Sequence, residues 1–222
     1  MSIQDPHEFR NRLNRLDSCV VSDALDRLKL PGAVLGLHRV STDLKLLGPV
    51  LTVKLERADG RLAERHLGTA AIDSAAPGDV IVVEHHSRND CAGWGGLLSY
   101  AARARQVAGV IVDGPCRDID ESRRMDFPVF ARGVVPATAR GRVVETAFNA
   151  PISVGSVTVN PGDWVIADGS GVVFLARNDA MLILEEAEKL TAREAIMIAE
   201  IDKGKPVSQV MTGTYEHMLR KD

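Results

Sequence analysis

The chain has 222 residues, 45% hydrophobic and 26% charged, which is enough apolar material for one substantial core and excludes a disordered tail, a collagenous fibre and a disulfide miniprotein. Lys plus Arg number 27 against 30 for Asp plus Glu, so the net charge of -3 leaves no footprint for a polyphosphate, and nucleic acid is not expected as a partner. The longest apolar runs, residues 80–83 and 107–112, fall short of the roughly 18 residues a membrane helix needs, so no membrane association is expected either.

The amino end, Met1 to Pro6, has neither a basic start nor an apolar stretch that would read as a secretory signal, and a cytoplasmic location is the expectation. The three cysteines, Cys19, Cys91 and Cys116, are odd in number and never spaced C-x-x-C, which argues against a disulfide framework or a zinc ribbon.

In chain order, residues 6–30 carry apolar side chains at helical spacing (Phe9, Leu13, Leu16, then Val20, Val21, Ala24, Leu25, Leu28) and predict two short helices, with Asp17 or Ser18 and then Ser22 or Asp23 as caps. Residues 47–55 predict a strand, residues 68–74 a helix, and Ala76-Pro77-Gly78-Asp79 a turn feeding the strand at residues 80–83. Gly93 to Gly96 open a helix over residues 97–105, followed by a strand at 110–112 and a loop at 113–120. Strands are expected at 129–130, 152–154, 157–159, 164–166 and 172–175, with a crossing rich in Pro and Gly in between. The turn Asn160-Pro161-Gly162-Asp163 echoes Ala76 to Asp79. That echo fits either an internal duplication or a turn sequence used twice for its own merits. A long helix capped at Asn178 runs to Lys203, where Gly204-Lys205-Pro206 stops it. With no low-complexity linker, the expectation is one α/β domain over residues 1–222: helices at about 6–30, a core at about 45–175 and an amphipathic carboxyl-terminal helix at about 178–203.

Several familiar sites are excluded. Gly93-Trp94-Gly95-Gly96-Leu97-Leu98 has Leu98 where G-x-G-x-x-G needs its third glycine, and no Walker A, G-x-S-x-G or H-E-x-x-H pattern occurs. His85 and His86 are neighbours whose rings leave an extended chain in opposite directions, and they read as a solvated loop start.

Two loops remain, both leaving the carboxyl ends of strands, where α/β sheets bind ligands. Gly95 and Gly96, ahead of Leu97 and Leu98, leave the first amides of a helix uncovered, and such amides hold a carboxylate without a cation. Close packing or a tight turn is the alternative use of the glycines. In Asp113-Gly114-Pro115-Cys116-Arg117-Asp118, a carboxylate such as Asp118 is a hard ligand for Mg²⁺ or Mn²⁺. The Arg117 guanidinium is a planar cation suited to a developing oxyanion, although an adjacent Arg-Asp pair on a loop also reads as an ordinary surface pair.

Taken together, Gly48-Pro49-Val50-Leu51-Thr52-Val53, Pro77-Gly78-Asp79-Val80, Trp94 to Leu98, Gly109 to Asp118 and Phe127-Pro128-Val129-Phe130 resemble the RraA-like family, which includes 4-hydroxy-4-methyl-2-oxoglutarate aldolases. Ser22-Asp23-Ala24-Leu25, Pro161-Gly162-Asp163 and Ala167-Asp168-Gly169 follow the same pattern in order, so the resemblance covers about residues 20–175. It implies a three-layer β/β/α sandwich of the swivelling-domain type, a trimer or hexamer, and a divalent metal with pyruvate bound between subunits.

By position, the resemblance makes Asp118 the metal ligand and Arg117 the contact to the pyruvate oxygen. The amides of Gly95, Gly96, Leu97 and Leu98 would hold its carboxylate. An acidic residue from a neighbouring subunit's carboxyl-terminal helix is matched first by Glu194 and second by Glu188. Where aldolases of the family carry an acid in the glycine loop, this chain has Gly96, and an outer contact to metal-bound water is missing from the pattern. The implied activity is retro-aldol cleavage of 4-hydroxy-2-oxo acids, oxaloacetate decarboxylation, or both. The family's other function, binding and inhibiting a ribonuclease, is the alternative.

Overall fold

The computed structural model describes residues 3–86 and 88–211. Its elements are α1 (Pro6–Leu13), α2 (Ser18–Leu28), β1 (Ala33–Val34), β2 (His38–Arg39), β3 (Leu46–Arg57), α3 (Thr69–Ser74), β4 (Val80–Glu84), α4 (Gly96–Ala104) and β5 (Gly109–Cys116). There follow α5 (Ile119–Arg124), β6 (Val129–Val134), β7 (Val143–Phe148), β8 (Ile152–Val154), β9 (Val157–Val159), β10 (Trp164–Ala167), β11 (Val172–Leu175), α6 (Ala180–Asp202) and α7 (Val207–Val210).

The two amino-terminal helices start where carboxylates accept their free amides: Asp5 accepts from His7 and Glu8, and Asp17 accepts from Val20. Ser22 and Asp23, also considered as caps, lie inside α2. The two Pro-Gly-Asp turns use one device, the aspartate accepting the amide three residues earlier, Ala76 for Asp79 at 2.8 Å and Asn160 for Asp163 at 2.7 Å. One enters a strand with parallel neighbours and the other an antiparallel one, so turn chemistry accounts for the echo.

The large sheet runs β1-β11-β10-β3-β4-β5-β6-β2, with β7 also on β3. The steps from β3 to β6 are parallel and the others antiparallel. β3 pairs with β10 through its first residues and with β4 through its later ones, so it belongs to both halves and the sheet curls about it. Side chains alternate accordingly. Val80 and Val82 of β4 join Ile111, Phe130, Val165 and Phe174 in the core between the two halves, and the β8–β9 hairpin adds Ile152 and Val159. Ile81 and Val83 face outward to Ile72, Trp94 and Leu98. Helices α1, α2 and α6 cover the outer face of the antiparallel half, burying Leu47, Ile166 and Leu175. The architecture is therefore the expected α/β sandwich, two sheet layers with α3 and α4 on the parallel half, flanked on the other half by the terminal helices.

Three expectations need correction. Residues 113–116 extend β5 rather than forming a loop, because Pro115 and Cys116 pair with Gly133 and Val134 after a register shift. Helix α5 lies in that same expected loop; its sequence is polar, and only Ser122 is buried, so it has no periodicity to read. The crossing at residues 133–150 contains β7, which pairs with the later part of β3.

Helix α6 begins after Asp179 rather than Asn178. Its first half buries Ile183, Leu184, Ala187 and Leu190, whereas Ile196 and Ile201 are 66% and 39% exposed in the single chain. Gly204, at φ 86°, ends it by donating to the Ile201 carbonyl at 2.8 Å.

Candidate active site

Backbone hydrogen bonds fasten the glycine loop to the end of β5. The Gly93 amide donates to the Pro115 carbonyl at 2.9 Å, and the Arg117 amide to the Trp94 carbonyl at 3.0 Å. Asp118 then turns in the left-handed region, φ 58° and ψ 37°, a conformation that Asp tolerates better than most side chains. Its carboxylate comes back over the amino end of α4, where Oδ2 accepts the Gly96 amide at 3.0 Å and lies 3.2 Å from Arg117 Nε.

Buried polar groups hold this arrangement from behind. Trp94 Nε1 donates to Ser99 Oγ at 2.9 Å; Ser122 Oγ donates to the same oxygen at 3.0 Å; Ser99 Oγ lies 3.3 Å from the Gly95 carbonyl. The chain of hydroxyls ties α4, α5 and the glycine loop together. His85, read from sequence as a solvated loop start, is fully buried instead, and only His86 is exposed. A Cβ on Gly114 would collide with the His85 ring and one on Gly93 would stand 3.1 Å from it, so both glycines make room for the imidazole. His85 Nε2 lies 2.8 Å from the Cys91 carbonyl, and burial pushes the imidazole pKa down, favouring the neutral ring. Ser99, Ser122 and His85 have no spacing signal in the sequence.

The surface of this assembly is a pocket of about 580 Å³, lined among others by Gly95, Gly96, Leu97, Leu98, Arg117 and Asp118. The Leu97 and Leu98 amides, in the first turn of α4, have no acceptor among the described residues, so with the helix's positive end they form an anion cradle. Arg117 and Asp118 are about a third exposed or slightly more, open to a ligand. On the pocket's far wall Glu145 is held by Arg65 at 2.8 Å and by the Gly68 amide at 2.7 Å.

For a cation, the pocket offers the Asp118 carboxylate, whose Oδ1 has no partner among the described residues. Among those residues no three His, Cys, Asp or Glu side chains cluster to hold a metal. One fixed hard ligand in an open pocket fits Mg²⁺ or Mn²⁺, which keep several waters and accept substrate oxygens, and does not fit a closed zinc-type cage.

The acids of α6 stand elsewhere. Glu188 receives Arg12 at 2.8 and 2.6 Å, which holds its pKa below the ordinary carboxylate value. Glu194 lies on the exposed half of α6, its pKa raised by partial burial and by Asp17 and Asp23. Neither lines the pocket of its own chain. Glu121, which drew no attention in the sequence, reaches the glycine loop: a Cβ on Gly96 would collide with its Oε2.

Residues 18–174 match the family model described as RraA-like, Aldolase/RraA. Over 202 residues the chain is 28% identical to Protein DlpA of Legionella pneumophila, covering 90% of this chain and 33% of that one, so it spans about a third of that relative's length. It is 31% identical over 188 residues to a Halalkalibacterium halodurans protein named "Putative 4-hydroxy-4-methyl-2-oxoglutarate aldolase", covering 83% and 84% of the two chains. The fold superposes on Streptomyces coelicolor RraAS2, described as an unusual member of the RNase ES inhibitor RraA protein family, with a TM-score of 0.79, 25% identity and coverage of 87% and 97%.

Proposed function

The chain belongs to the RraA-like family, and from that premise we propose that it is a divalent-metal-dependent carbon–carbon lyase of 2-oxo acids. The reaction is retro-aldol cleavage of 4-hydroxy-2-oxo acids to pyruvate, with oxaloacetate decarboxylation open to the same site because both pass through the pyruvate enolate. The observation that carries this reading is the meeting of Asp118, Arg117 and the unpaired Leu97 and Leu98 amides in one pocket.

Asp118 would hold Mg²⁺ or Mn²⁺, which would supply Lewis-acid chemistry at the 2-oxo oxygen. The amides of Gly95 to Leu98 hold the substrate carboxylate, with Gly96 already committed to Asp118 and the next two free. The Arg117 guanidinium donates to the oxygen that gains charge as the bond between C3 and C4 breaks and its electron pair moves toward C2. The 4-hydroxyl proton passes to water as the C4 carbonyl forms, and water returns a proton to C3 to give pyruvate; Glu194 of a neighbouring subunit in a trimer or hexamer positions that water. The exposed second half of α6 supports this arrangement, since Ile196 and Ile201 have no covering surface among the described residues.

A second reading, a non-catalytic regulator of a ribonuclease, is supported by the description of the Streptomyces protein. Pyruvate release from a panel of 4-hydroxy-2-oxo acids and oxaloacetate, with Mg²⁺ or Mn²⁺ and with excess EDTA, separates the two. Metal-dependent release supports the lyase. Full turnover in EDTA removes the metal from the mechanism, and no turnover of any substrate together with ribonuclease inhibition establishes the regulator.

A further inference from the structure

Retro-aldol cleavage needs a base that oxaloacetate decarboxylation does not. In the first reaction the C4 hydroxyl loses its proton as the carbonyl forms; in the second C4 leaves as carbon dioxide, and no hydroxyl takes part. Two carboxylates of the pocket are already engaged. Asp118 accepts the Gly96 amide and meets Arg117. On the far wall Glu145 has one oxygen on Arg65 and the other on the Gly68 amide, and its side chain is 1% exposed.

His66, on the same far wall, is exposed and has a nitrogen to spare. Its Nδ1 lies 3.1 Å from the Leu67 carbonyl oxygen. A carbonyl oxygen only accepts, so Nδ1 carries the hydrogen and Nε2 of the neutral ring keeps its lone pair. Nε2 has no partner among the described residues. The segment that bears the ring is clamped: Arg65 and Gly68, on either side, hold the one Glu145 carboxylate, and Thr69 Oγ1 donates to the His66 carbonyl at 2.7 Å. A Cβ on Gly68 would stand 3.0 Å from the Trp94 ring and 3.8 Å from Leu98 Cδ1, so this wall abuts the glycine loop. The imidazole thus stands on a fixed wall of the pocket that Asp118 and the amide cradle line from the other side.

We propose that His66 is the general base of retro-aldol cleavage, its Nε2 receiving the 4-hydroxyl proton through the water that takes it. The inference rests on the reading of this pocket as a lyase site. The O–H bond at C4 breaks, the C4 carbonyl forms, and the C3–C4 electron pair becomes that of the enolate. The imidazolium then gives its proton to solvent, and water protonates C3, so protons and charge balance. Imidazole suits this work near neutral pH. Glu64, the other acid in the lining, is exposed and makes no hydrogen bond among the described residues, but a carboxylate is a weaker base there.

The experiment measures pyruvate release from 4-hydroxy-4-methyl-2-oxoglutarate and from oxaloacetate, with Mg²⁺ or Mn²⁺, for wild type, His66→Gln, Glu64→Gln, and His66→Ala with and without added imidazole. Circular dichroism checks that each variant is folded. His66→Gln is expected to lower kcat for the hydroxy acid by a factor of about 10² or more, the range for a lost general base, and to keep decarboxylation within about threefold of wild type. Added imidazole should restore part of the cleavage lost in His66→Ala. A purely structural role would move both reactions together and would not respond to imidazole. Equal falls in the two reactions, a fall in cleavage below about threefold, or a loss seen in Glu64→Gln instead overturns the inference and leaves the lyase reading standing. Wild-type turnover of oxaloacetate alone does the same. Release from neither substrate overturns the reading and the inference with it.

Discussion

The Asp118 carboxylate accepts the amide of Gly96 at 3.0 Å, across 22 residues of chain, and with the backbone bonds from Gly93 to Pro115 and from Arg117 to Trp94 it makes the end of β5 and the start of α4 two walls of one pocket. Asp118 can reach only because it adopts a left-handed turn, and Gly96 can receive it only because no side chain stands in the way.

Arg117 should not be replaceable by lysine. The guanidinium meets Asp118 Oδ2 through Nε while its terminal nitrogens make no hydrogen bond among the described residues, and an ammonium cannot both hold Asp118 and keep donors for a ligand. Arg117→Lys is expected to lower kcat for pyruvate release by a factor on the order of 10², as for loss of an oxyanion donor. Steady-state kinetics decide this, and a fall of less than about threefold, far below that magnitude, would reduce Arg117 to a structural role.

Ser99 holds three partners in a buried setting, and Ser99→Ala leaves Trp94 Nε1 and Ser122 Oγ without the oxygen they use. The expected cost is about 1–3 kcal/mol of stability, the penalty for orphaning a buried donor, measured by urea unfolding. The companion Ser122→Ala removes a donor only and should cost less. Equal costs would mean that the Trp94 indole finds another acceptor.

His85 gives the protein a pH-dependent term. Its folded pKa lies below the ordinary 6.5 because burial disfavours the charged ring, so the unfolded chain binds the proton more readily. The contribution is fully present above pH 6.5 and is lost as pH falls through the folded value. Urea midpoints from pH 7.5 down to 5 should therefore drop more steeply for wild type than for His85→Gln, so that the gap between them narrows on acidification; parallel curves would contradict this.

The proposed shared site predicts complementation between chains. Asp118→Ala and Glu194→Ala, each impaired alone, should regain activity when mixed under conditions of subunit exchange, with about a quarter of sites intact at equal mixing in a cyclic oligomer. No gain, with exchange proved by a tagged chain, would exclude Glu194 as the residue given in trans. Glu188→Gln tests the other candidate: with its carboxylate already held by Arg12, the substitution should leave turnover unchanged and cost about 1 kcal/mol of stability, the upper end for a surface pair, because this pair is partly buried.

The sequence by itself determined the buried strands, the helices that bear apolar stripes, and the two loops that meet at Arg117 and Asp118. These are local properties: Val80 to Val83 read as a strand from composition alone, and Ile183, Leu184, Ala187 and Leu190 as one helix face from spacing alone. Helix α5 and strand β7 escaped because their residues are polar or half-exposed, and only packing against α4 and β3 specifies them. The burial of His85, the hydroxyl chain at Ser99 and the carboxylate of Glu121 over Gly96 were likewise decided only by tertiary structure. Each joins residues from separate elements, and a distance through space between two elements has no period or spacing along the chain from which to be read.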